Sequence, residues 1–190
     1  VALNAGIDAE HTEGSLLQYQ EQPTTGSAFL VATIPAGKHY DYDVNASLIA
    51  AFSELVWRND SWLLSAGLRY EYIHYDYTNN MNSGRLREDG TACGMGGCRY
   101  SRPPSSKNSF TNASPKLGAT YLYSDTTQFY ANYSLGYRAP QATELYRLQR
   151  AQEVADLNSE EARNVEFGVI GNYPGLSYTI AAYYMDKDNF

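Results

Sequence analysis

Apolar residues recur at every second position along most of this chain, and no other feature restricts its fold so strongly. In the first stretch Val1, Leu3, Ala5, Ile7 and Ala9 are apolar, against Asn4, Asp8 and Glu10. From Tyr40 to Phe52 the even positions Tyr40, Tyr42, Val44, Ala46, Leu48, Ala50 and Phe52 are apolar, against Asp41, Asp43, Asn45 and Ser47. Trp62, Leu64, Ala66, Leu68, Tyr70 and Tyr72 form a third set, and Leu117, Ala119, Tyr121 and Tyr123 a fourth. Phe129, Ala131, Tyr133, Leu135 and Tyr137 form the fifth, Val165, Phe167 and Val169 the sixth, and Tyr178, Ile180, Ala182 and Tyr184 the seventh. Alternation of this kind gives strands with one apolar and one polar face. No long amphipathic helix is evident.

The connections alternate in length. Arg58–Ser61, Ser124–Thr126 and Tyr173–Leu176 read as tight hairpin turns, whereas 13–38, 78–110 and 140–162 read as long loops. Short turns on one side and long loops on the other are the pattern of an outer-membrane barrel with periplasmic turns and extracellular loops. A soluble β-sandwich also alternates, but its strands are shorter and its loops do not sort by side. The fold class expected is therefore all-β: an antiparallel up-and-down transmembrane β-barrel, here about seven consecutive strands of a larger one. Paired aromatic residues near strand ends, Tyr40 and Tyr42, Trp57 and Trp62, Tyr70 and Tyr72, are expected at the membrane-water interface. An odd strand count and a strand-like end at 185–190 predict that residues 1–190 are a partial barrel domain. Val1 opens inside an alternating pattern, so the chain is expected to begin after processing or within a longer protein.

Composition narrows function by exclusion. Fourteen basic and 21 acidic residues give a net charge of -7 and no Lys/Arg stripe, which argues against a nucleic-acid partner. No Ser-His-Asp order, phosphate-binding glycine loop or paired carboxylates on a helix is evident, so no enzyme, catalytic residue or cofactor is expected. His11, His39 and His74 are scattered; His39 with Asp41 and His74 with Asp76 would share a face, but lack the further ligands of a metal site, and none is predicted.

Three segments resemble the TonB-dependent outer-membrane receptor family: Ser114–Tyr121; Gln128–Pro140 with Glu144-Leu145-Tyr146; and Ala155–Glu161 with Asn164–Gly168, continued by Tyr183–Asn189. The ordered series carries the resemblance over 110–190, and only the strand pattern over 1–109. The resemblance implies a barrel of about 22 strands filled by a plug domain, with energy from the inner-membrane TonB system through a box on that plug. Plug, box and remaining strands are expected outside residues 1–190. It implies a Gram-negative outer-membrane receptor for a scarce nutrient, a ferric siderophore first, with cobalamin, haem and oligosaccharide open. A passive porin or adhesin barrel is the alternative. Outer-membrane lipid and lipopolysaccharide are the surrounding partners.

Two features of the loops stand out. Arg138 continues the polar phase of Gln128, Asn132 and Ser134, and Pro140 ends regular pairing, so Arg138 should face the interior or mouth and meet a carboxylate. Arg85, Arg87, Arg99, Tyr100 and Arg102 in one loop, and Arg138, Tyr146, Arg147 and Arg150 in another, make a basic and aromatic cluster suited to an anionic ligand. Of these, Arg99, Tyr100, Arg102, Arg138, Tyr146, Arg147 and Arg150 are the candidate ligand-binding residues. Cys93 and Cys98 close Cys-Gly-Met-Gly-Gly-Cys; at an oxidising cell surface a disulfide is expected, stabilising the loop by on the order of 2 kcal/mol.

Overall fold

A computed structural model describes residues 1–150, 152 and 157–189. Seven antiparallel strands form one sheet: β1 (Ala2–Gln20), β2 (Gly37–Arg58), β3 (Trp62–Asn79), β5 (Ser106–Ser124), β6 (Thr127–Arg138), β8 (Glu160–Tyr173) and β9 (Leu176–Asp188), each bonded to the next in chain order. The sheet is open between β1 and β9. Helices α1 (Ala28–Thr33) and α2 (Ala142–Tyr146) and a two-stranded sheet of β4 (Tyr100–Ser101) with β7 (Leu148–Gln149) occupy the long connections. Those connections are shorter than the sequence pattern suggests, because β1 continues through Gln20, β3 through Asn79 and β5 begins at Ser106. Ala155, Asp156 and Phe190, which fall within the resemblance and the strand-like end read from sequence, lie outside the described residues.

The hairpin registers keep the apolar residues of both paired strands on one face. Tyr121 lies opposite Phe129, Ala119 opposite Ala131 and Leu117 opposite Tyr133, and the tip closes Ser124 onto Thr127 with Tyr123 as the extra residue of a bulge. Val169 faces Ile180 and Phe167 faces Ala182. At that turn Pro174 precedes Gly175, whose φ of +79° supplies the left-handed position a tight type II turn needs. At the turn after β2, Asn59 Oδ1 accepts from the Ser61 and Trp62 backbone N–H groups at 2.9 and 2.7 Å.

Following the registers across the sheet sorts the side chains into two faces. The outer face carries Leu3 and Ile7, Ile49, Leu55 and Trp57, then Trp62, Leu64, Leu68, Tyr70 and Tyr72, Leu117 and Tyr121, Phe129, Phe167, Ile180 and Tyr184, all exposed. Such an exposed apolar belt has no place in water. From Trp62 to Tyr72 on β3 it spans roughly 25 Å at a usual barrel tilt, the height of a lipid-facing band. Trp62 against Tyr121 and Tyr173 against Tyr178 mark its turn-side rim.

The belt stops at one level. Ala9, Ile49, Tyr72 and Thr111 form its last row; the next outward row is His11, Ser47, His74 and Ser109. Above this level β2, β3 and β5 present polar groups outward and apolar groups inward, Tyr40, Tyr42, Val44, Tyr75, Tyr77 and Phe110, joined by Leu16 of β1, while β1 still turns Leu17 outward. The even set of β2 therefore belongs to the inner face along its whole length, and Tyr40 and Tyr42 are not interface aromatics. Both are 4 % exposed beneath the loops. Lipid gives no reason to keep an outward apolar face beyond its own thickness, while the loops folding inward need one.

A charged residue on the outer face should be costly only inside the belt. Leu68→Arg, near mid-belt, is expected to destabilise the full-length barrel by about 2–4 kcal/mol, and Asn45→Arg, above it, by about 0–1 kcal/mol. Denaturant titration in lipid vesicles measures both, and equal effects would misplace the membrane.

Candidate functional site

The Arg-Ala-Pro corner is an anchor for the loop that follows. Arg138 faces Glu160 across β6 and β8. Its Nε and Nη2 donate to the two Glu160 carboxylate oxygens at 2.8 and 2.6 Å, and Nη2 also donates to Glu144 at 3.0 Å. Glu144 accepts the Gln141 backbone N–H at 2.7 Å with its other oxygen and so caps α2. The capped turn drives Leu145 and Tyr146 downward. Tyr146 stacks on Tyr77 with centroids 4.0 Å apart and donates its hydroxyl to Asn108 at 2.9 Å. Tyr40 donates to the Leu148 carbonyl, and burial pushes its phenol up to about 12, so it remains a donor.

The loop between β3 and β5 is held on the same core. Cys93 and Cys98 form a disulfide with Cα atoms 4.8 Å apart, and both are buried against the aromatic cluster. Gly96 and Gly97, with φ of +81° and +108°, allow the small ring. Arg85 donates to the Cys98 and Gly97 carbonyls at 3.0 and 3.1 Å. Backbone bonds from Gly94 to Ala32 and Arg99 to Thr33 tie the loop to α1.

The structure divides the seven candidate ligand residues. Arg102 is 1 % exposed and donates to the carbonyls of Asn82, His39, Leu86 and Arg87 at 2.8, 2.9, 2.6 and 3.4 Å. It builds the loop, with four of its five N–H donors spent on carbonyls and its side chain closed off from solvent. Tyr146 and Tyr100, at 0 and 6 % exposure, are likewise interior groups. Arg138 is engaged by two carboxylates. Arg150 donates to the Met95 carbonyl and lies over Phe29. Arg99 and Arg147 remain exposed and, among the described residues, have no carboxylate partner within an ion-pair distance.

These two arginines line one cup of about 430 Å³ at the mouth, together with Gln18, Gln20, Glu144 and Gln149. Arg147 Nε donates to Gln18 Oε1 at 3.2 Å, which aims it across the cup. An adjoining cavity of about 370 Å³ shares Thr143, Glu144, Arg147 and Gln149, so α2 is the wall between them. Sequence spacing does not reveal Gln18, which comes from β1, 129 residues before Arg147. His39 was paired in expectation with Asp41, but a bulge in the β1–β2 ladder turns it under the cap, where it stacks on Tyr100 at 4.4 Å. No group of three or more metal-ligating side chains occurs among the described residues.

A sheet with a lipid belt outside, polar groups inside and loops folded over one end defines a sector of an outer-membrane barrel. The family model "TonB dependent receptor-like, beta-barrel" matches residues 2–190, and the chain belongs to that family of outer-membrane receptors and transporters of Gram-negative bacteria. A comparison with curated proteins found no match.

Hydrogen bonds from the Gln141 N–H, then from Arg138, hold the Glu144 carboxyl below the usual carboxylate range. Its contribution is thus present above that range and is lost as pH falls through the lowered value. Hydrogen exchange of residues 141–149 in the full-length protein, corrected for intrinsic rates, should accelerate between pH 7 and pH 3–4 (roughly the carboxylate range and below), and Glu144→Gln should abolish that dependence. In the same measurement Arg102→Lys is expected to loosen residues 80–105 by about 2 kcal/mol or more, because an ammonium cannot reach the carbonyls the fork spans; protection equal to the parent would contradict the role given to Arg102.

Proposed function

We propose that this chain is the ligand-capturing sector of a receptor for energy-coupled uptake of a scarce nutrient, a ferric siderophore in the first instance. The cup at the mouth carries the reading. Arg99 and Arg147 point two forked donors into a concave polar space in a protein whose net charge is -7. Anionic ferric chelates fit that chemistry. The outer edges of β1 and β9 have no partner strand among the described residues, and hydrocarbon tolerates no open sheet edge. That supports further strands elsewhere in the polypeptide, while the plug, and TonB acting through it, are proposed from membership of the family.

The test is uptake of labelled iron chelates by cells carrying the full-length receptor, with and without TonB. Uptake should require TonB, and Arg99→Ala with Arg147→Ala should reduce capture at low salt more than at moderate salt. TonB-independent flux would favour a passive barrel. Binding of cobalamin, haem or an oligosaccharide in place of every iron chelate would change the nutrient.

A further inference from the structure

The wall is interrupted along one line. The ladder between β3 and β5 runs from Tyr77↔Ser106 to Trp62↔Tyr121 without a break. The ladder between β5 and β6 stops at Lys116↔Ser134, although β6 stays paired with β8 up to Arg138↔Glu160. Pro115 explains the stop. It lies opposite Leu68 in the β3 ladder, and a proline fits such a pair only where its own N–H is not used, so its bonding edge faces β6. The next bonded pair toward β6, Pro115 with Leu135, therefore lacks a donor, and above it the pairing does not resume. Asn112, which the same register would set beside Arg138, is 5 % exposed, and its amide nitrogen has no hydrogen-bond partner among the described residues.

This seam lies in the upper half of the lipid belt, since Pro115 and Ala113 are opposite Leu68 and Tyr70. Hydrocarbon cannot satisfy the backbone groups that Ala113, Leu135 and Tyr137 turn toward the gap. Water can, from within: a cavity of about 820 Å³ lies against the seam on the luminal side, lined by Ser114, Ser134 and Gly136 together with Asp8 and Arg69. A Cβ added at Gly136 would meet nothing within 4 Å.

Above Lys116 the two strands are joined by α2 instead of a ladder. Arg138, at the top of β6, holds Glu160 of β8 and Glu144 of α2. Across the seam, Tyr146 of α2 stacks on Tyr77 of β3 and donates to Asn108 of β5. We propose that the upper ends of β5 and β6 form a lateral gate in the outer-leaflet half of the wall, with α2 as its latch. Seated, α2 closes the seam; released, it lets the strands part above Lys116↔Ser134 and joins the luminal cavity to the outer leaflet. The intact ladder below keeps the two halves of the sheet together.

The experiment uses the full-length receptor in lipid vesicles. Nitroxides on Ala113→Cys and Tyr137→Cys, outward positions flanking the seam, report its width by dipolar broadening. Ala119→Cys with Ala131→Cys, directly paired below it, is the comparison. Tyr146→Ala should release the latch and reduce the broadening of the seam pair by about half or more, consistent with opening by one strand spacing, ~5 Å, and leave the comparison pair unchanged. Glu144→Gln, which leaves the aromatic core intact, should act in the same direction and serves where Tyr146→Ala fails to insert. Residue-resolved hydrogen exchange gives a second reading: the Leu135 and Tyr137 amides, facing the gap, should exchange about tenfold or more faster than those of Gly136 and Arg138, which face β8. Unchanged broadening of the seam pair in the latch variants, equal loss at the comparison pair, or equal protection of the four amides overturns the gate.

Discussion

The side chains of β2, β3 and β5 exchange environments at a single level, and the rest of the molecule is arranged around that exchange. Below the row of Ala9, Ile49, Tyr72 and Thr111, hydrocarbon takes the outward apolar groups while Asp8, Glu54, Arg69, Glu71 and Lys116 face inward. Above it water lies outside, so the same period of two is occupied in the opposite sense. The inward apolar patch then requires a cover, because bare tyrosine and valine at the mouth would remain wetted. The loops are that cover. Their own folding depends on it, since α1 has six residues and α2 five, too few to hold as isolated helices.

The chemistry of the mouth is what remains once the cover has been built. Arg102 and Arg85 satisfy loop carbonyls, Arg138 holds the capped turn, and the tyrosines fill the core. Burying a guanidinium is tolerable for Arg102 because Nε and both terminal nitrogens find carbonyls. Arg99 and Arg147 have no such duty and stand at the rim of the cup.

Much of the sheet was legible because alternation is a local property. The seven strands, the registers at both hairpins, the disulfide and the meeting of Arg138 with a carboxylate all follow from residue phase or short spacing. The cap was not legible, since β4 and β7 are two residues each and pair Tyr100 with Gln149 and Ser101 with Leu148, far apart in sequence, which leaves no periodic trace. The roles of Arg102 and Tyr146 are set by carbonyls and rings from distant segments, so composition pointed to a ligand where the fold uses them internally. One signal was available for the inward tyrosines: after Tyr72 the apolar phase of β3 passes to Ile73, Tyr75 and Tyr77, while His74, Asp76 and Thr78 become polar.

The interlocking of Tyr40, Tyr77, Tyr100, Tyr146 and the cystine has a consequence for how such a mouth diversifies. Each loop finishes a surface begun by another loop or by a strand top, so none is a self-contained module. Transplanting residues 80–105 alone into a relative would carry Arg102 and Tyr100 without the His39 carbonyl and the His39 ring they meet here. Variation in this region is therefore constrained to be concerted, with changes in one loop admissible only alongside matching changes in its neighbours, even though loops at a cell surface are ordinarily the parts of a protein freest to drift.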